Sequence, residues 1–102
     1  MNHCTFEGRL SAEPELRSLP SGDTLVTFRI IVERERAAGV DTIDCQVDTL
    51  ALRRRVSRLE PGIRLHVEGR LQRRFFRTPA GISSRYAVHV TSLRRIPTQR
   101  AA

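Results

Sequence analysis

A chain of 102 residues has room for one domain and one core, and 39% apolar residues place it among globular rather than disordered sequences. Its formal charge of +7 comes from 18 basic residues, all arginine, and is unevenly placed. Residues 1–50 carry five arginines against nine acids, whereas residues 51–102 carry thirteen against two, Glu60 and Glu68. A half this basic reads as a surface for a polyanion. Cys4 and Cys45 are too few and too far apart for a disulfide framework or a zinc site. The opening Met1-Asn2-His3-Cys4 has no basic region leading into an apolar one, and the longest aliphatic run is Ile30-Ile31-Val32. Neither a signal peptide nor a membrane span is expected, and a cytoplasmic location is.

In chain order, Cys4, Phe6, Gly8 and Leu10 alternate with Thr5, Glu7 and Arg9, the two-residue period of a first strand. Ser11-Ala12-Glu13-Pro14 breaks it, Glu15 to Leu19 continue as an extended edge, and Pro20-Ser21-Gly22-Asp23 is a turn. Thr24 to Arg34 form the clearest strand, with Val26, Phe28, Ile30 and Val32 on one face. A loop over residues 34–40 follows. Asp41 to Leu50 alternate again, with Ile43, Cys45 and Val47 inward. The period then changes: Leu52, Val56 and Leu59 share one face of a helix over Ala51 to Leu59, which Pro61-Gly62 ends. Ile63 to Leu71 alternate in a long fourth strand; Thr78-Pro79-Ala80-Gly81 turns the chain, and Ile82 to Ile96 return as a fifth. Three strands, a short helix and a long hairpin predict an all-β fold. That fold is a five-stranded Greek-key oligonucleotide/oligosaccharide-binding (OB) barrel, with the helix between strands three and four closing one end. The domain is expected over residues 1–96, with a short tail over 97–102.

The same residues carry a resemblance. Phe6-Glu7-Gly8-Arg9-Leu10, then Pro14-Glu15-Leu16-Arg17 and Ser21-Gly22, resembles the opening of bacterial single-stranded DNA-binding proteins. Thr24 to Val32 is similar to that family's second strand, Ile43-Asp44-Cys45 to the third strand of its Gram-positive members, and Gly62 to Arg73 to its fourth. The resemblance implies an OB fold assembled as a tetramer, with a dimer as the alternative. It also implies single-stranded DNA wrapped over the surface, a nucleoid-associated location, and a place in DNA replication, repair or recombination. The family grips DNA by stacking bases on aromatic side chains. Carried over by position, three of those aromatics fall near Arg36, on Thr42 and on Asp48; the one on the hairpin remains as Phe76, with Phe75 beside it. Asp44 and Asp48 put negative charge where phosphates lie. The family's acidic tail is absent from Ile96-Pro97-Thr98-Gln99-Arg100, so tail-mediated recruitment of repair proteins is not expected.

Arginine can take over part of the work, because its planar guanidinium stacks on bases and pairs with phosphate. The expected nucleic-acid contacts are Phe76 and Phe75, the hairpin arginines Arg70, Arg73, Arg74, Arg77 and Arg85, and Arg29, Arg36 and Arg64. Thr5, Glu7 and Arg9 are the expected oligomer edge, with Ile31 and Leu50 adding apolar area. Tyr86 is expected inside the barrel, and His66 and His89 could face each other across the hairpin. No nucleophile elbow, phosphate loop or metal-ligand spacing is present, so neither catalysis, cofactor nor metal is expected. Two other readings remain open: an interaction module whose DNA face has decayed, and an RNA binder, since stacking and phosphate contacts serve both nucleic acids.

Overall fold

The computed structural model describes residues 1–97, apart from the side chain of Phe76; the remainder of the expected tail lies outside the described residues. The elements run β1 (Cys4–Leu10), β2 (Glu15–Ser18), β3 (Thr24–Glu33), β4 (Val40–Val47), α1 (Leu50–Ser57), β5 (Arg64–Thr78) and β6 (Gly81–Arg95). The sheet order is β1-β5-β6-β4-β3-β2, and pairing of β1 with β3 at Arg9–Ile31 and Leu10–Ile30 closes it into a ring. The short β2 is the extended edge the sequence predicts, hydrogen-bonded outside the ring to β3. The five strands of the ring and the helix before the final hairpin make the OB barrel.

Alternation places Leu10, Val26, Phe28, Ile30, Cys45, Val47, Leu65, Val67, Val88 and Val90 in one buried cluster. Helix α1 adds Val56, fully buried, and half-buried Leu52 to the barrel's end. Thr49 caps it, accepting from the Leu52 N–H at 3.3 Å. The helix stops at Ser57 rather than Leu59, because Arg58 and Leu59 donate three residues back, to Arg55 and Val56, in a tightened last turn. Arg54 and Arg55 fall in that turn, where positive charge complements the helix dipole. Arg53 donates to Thr24 and, at 3.1 Å, to the Asp48 carbonyl. The helical arginine run is therefore partly tied into the fold.

Two glycines permit the closure. A Cβ on Gly8 would lie 2.4 Å from the Ile31 carbonyl oxygen where β1 crosses to β3. A Cβ on Gly69 would lie 2.0 Å from the His89 carbonyl oxygen, where β5 and β6 slip register between Glu68 and Gly69. Neither contact involves a side chain that could swing away. Gly69→Ala is expected to destabilise by about 3 kcal/mol, the upper end of overpacking. Leu16→Ala, on the exposed edge strand, should change stability by about 0.5 kcal/mol or less; paired urea melts measure both.

Candidate nucleic-acid interface

The outward face of β3, β4, β6 and β5 holds two depressions in line. The first, about 510 Å³, has Thr27, Arg29, Asp44 and Ala87 along its floor. Glu13, Glu15 and Arg17 border one side, and Arg74, Phe75 and Arg85 of the hairpin border the other. The second, about 590 Å³, is lined by Gln46, Asp48, Arg53, Arg70, Gln72 and His89, among others. Asp44 and Gln46 are alternate residues of β4 and share this face, so together the depressions make a groove across the sheet. The Gln46 Nε2 donates to Gln72 Oε1 at 3.2 Å between strands β4 and β5.

Register decides the electrostatics of the floor. Arg29 lies opposite Asp44 in the β3–β4 ladder and donates to it at 2.8 Å, while Arg85 approaches the same carboxylate at 3.9 Å from β6. The charge of Asp44 is thus offset by two guanidiniums rather than left facing a phosphate. Asp48 meets His89 Nε2 at 3.4 Å. The His89 Nδ1 and the Gln46 Oε1 are both buried and without a partner among the described residues. Arg70, Arg74 and Arg77 have no carboxylate partner among the described residues.

The model of the family described as "Single-strand binding protein family" matches residues 1–96. The chain belongs to that family. A comparison with curated proteins returns no match. Among solved structures, the fold is similar to a Plasmodium falciparum SSB in complex with ssDNA, with a TM-score of 0.81 and 19% identity over 95% of this chain and 96% of that one. Members of the single-strand binding family are non-enzymatic DNA binders. No group of three or more His, Cys, Asp or Glu among the described residues is arranged to hold a metal ion. Burial pushes the Cys45 thiol up to about 12, so it acts as an apolar core residue. No helix among the described residues is long and apolar enough to cross a membrane.

The predicted contact residues divide into three groups. Arg29, Arg70, Arg74, Arg85 and Phe75 border the groove. Arg73 and Arg77 are on the other face of the hairpin, in register with Tyr86 and Ile82. Arg64 begins β5 beside Arg9, nine residues and about 30 Å of strand before Arg73. Arg36 is exposed in the β3–β4 loop, and neither it nor Arg64 reaches the groove. The backbone of Phe76 pairs with Ser83, but its side chain lies outside the described residues. Tyr86 corrects the expectation most plainly. It is 58% exposed, because the alternation that buries Val88 and Val90 continues past the barrel's rim onto an uncovered arm. His66 and His89 do not meet, being in register with Arg94 and Arg70 respectively.

Instead, His66 joins a cluster at the expected oligomer edge. Its Nδ1 lies 2.7 Å from Glu7 Oε2 on β1 and its Nε2 lies 3.0 Å from Glu68 Oε1. Two carboxylates on the two ring nitrogens favour the doubly protonated imidazolium. Their hydrogen bonds raise the His66 pKa, Glu7 contributing most, and the bonds to His66 lower those of Glu7 and Glu68. Desolvation of the ring opposes the effect on His66, and the Arg94 charge opposes it after that. A lowered carboxylate stabilises above its ordinary 4.5 and loses that as pH falls; a raised imidazole stabilises below its ordinary 6.5 and loses that as pH rises. The cluster therefore contributes most between those values. The melting-temperature difference between wild type and His66→Gln should peak in that window and shrink at pH 8, as pH-resolved calorimetry will read.

Proposed function

We propose that this single-strand binding family member holds single-stranded DNA without regard to sequence, chiefly by arginine–phosphate contacts along the β3–β4–β6–β5 groove, with stacking as the smaller contribution. The observation that carries the proposal is the imbalance at the groove. Its central carboxylate, Asp44, is already offset by Arg29 and Arg85, while Arg70 and Arg74 stand at its walls with no acid to pair with among the described residues. Open guanidiniums at this spacing can pair with phosphates along a strand. Phosphate contacts read no sequence, and an aromatic ring stacks any base, so neither contribution would impose one. The same offset at Asp44 speaks against a decayed face, which would keep its acids and lose its arginines.

The reading includes self-association. Among the described residues, only Arg9 and Leu10 of β1 pair with β3, and no strand pairs with residues 4–8 on that side. Thr5 and Glu7 are exposed beside it, whereas Arg9 is held by Glu33 at 3.1 Å. A second copy aligned on this edge makes a homodimer, and a pair of dimers a tetramer. A cytoplasmic, nucleoid-associated location accompanies such a partner.

Titration of labelled oligo-dT across salt concentrations tests the proposal. Affinity should fall steeply with salt, and Arg70→Gln and Arg74→Gln should each reduce the slope of log K against log salt by about 0.7, one released counterion on a single strand. Phe76→Ala should cost about 1–3 kcal/mol at every salt concentration. Salt-independent binding, or equal affinity for duplex, would overturn the proposal, and tighter binding to oligo-U would assign the groove to RNA.

A further inference from the structure

The face of the hairpin that continues the barrel's interior is built for something. Beyond Val88 it carries Leu71, Arg73 and Phe75 on β5, and Tyr86, Ser84 and Ile82 on β6, and none of these is acidic. Four of them are large apolar or aromatic groups left open: Leu71 at 41%, Phe75 at 67%, Ile82 at 75% and Tyr86 at 58% exposure. A contiguous patch of this kind on a small domain marks a contact surface. Arg73 is fixed within it. Its Nε and Nη2 donate to Ser84 Oγ at 3.1 and 2.9 Å, and its guanidinium carbon lies 5.2 Å from the Phe75 centroid and 5.6 Å from that of Tyr86. A cation is thus pinned between two exposed rings with no carboxylate on the same face.

Such a patch fits flat, anionic chain better than it fits protein. An apolar protein surface would leave the Arg73 charge desolvated and unpaired, at a cost. Bases, by contrast, stack on the ring faces and on guanidinium, and the adjoining phosphate pairs with the cation. Phe75 also borders the groove on the sheet's outer side, so the two surfaces adjoin at the edge of the arm. We propose that Arg73, Phe75 and Tyr86 form a second stacking site for single-stranded nucleic acid, on the hairpin face turned away from the groove, so that the strand turns around the arm. This rests on the single-strand reading of the groove and adds Tyr86 as a contact residue.

The sequence provides its own probe. Tyr86 is the one tyrosine, and tryptophan is absent, so tyrosine emission reports this position alone. Titrating the full chain with end-labelled oligo-dT, the tyrosine emission should fall in step with the rise in label anisotropy. Tyr86→Phe should bind as wild type, while Tyr86→Ser should bind about tenfold more weakly, with both melting as wild type does. A rise in anisotropy with unchanged emission, or wild-type affinity in a folded Tyr86→Ser, would overturn the second site while leaving the groove standing. Absence of any anisotropy change would instead bring down the groove reading on which it rests.

Discussion

The β5–β6 ladder joins two strands of fifteen residues each, and only its first part is wrapped by other strands. That single pairing determines both the barrel and what projects from it. Near the base, Val67, Val88, Val90 and Leu93 face the core and β1 covers the outer edge of β5 as far as Gly69. The register slip at Gly69 lets the two backbones approach more closely than any side chain would permit. Past it the ladder continues as an arm, with Asn2 bonding both the N–H and the carbonyl of Leu71 at the place where β1 runs out. The alternation that fills a core below the rim presents rings and cations to solvent above it.

Electrostatics follows from the same pairing. A strongly basic second half makes the polyanion reading easy, yet total charge does not say where a strand would lie. The cross-strand partners do. Exposed ion pairs such as Arg9–Glu33, Arg17–Glu15 and Arg34–Asp41 contribute little stability in water. Their consequence is to remove those arginines from the set open to phosphate. Of those that remain, Arg70, Arg74 and Arg77 stand on the arm or at the groove walls, while exposed Arg36, Arg54, Arg55, Arg58 and Arg64 lie away from both. Arg29 has a different part: it offsets the charge of Asp44 on the floor of the groove.

Much of this architecture can be read from residue order. Period two, the helical interval at Leu52, Val56 and Leu59, and the stops at Pro61-Gly62 and Pro79-Ala80 suffice for the strand order and the plugging helix. Register is not readable in that way, because it depends on which residues of distant strands stand opposite. The Arg29–Asp44 pair and the Glu7–His66–Glu68 cluster, in which Glu7 and His66 are 59 positions apart, come from it. Tyr86 illustrates the complementary difficulty: its period is right and its burial is not, since alternation assigns a face and cannot tell where the barrel covering that face ends. Arg64 and Arg36 look like the groove arginines in composition and are separated from them only by position along strand and loop.

The central claim is that the outer face of β3, β4, β6 and β5 receives the single strand. Amide chemical-shift mapping of isotopically labelled protein titrated with oligo-dT tests it most directly. The account predicts the largest shifts at Thr27, Arg29, Gln46, Arg74 and Ala87, with the α1 amides of Arg54 to Ser57, which line neither depression, nearly still. Shifts concentrated on α1, with the groove residues unmoved, would contradict it.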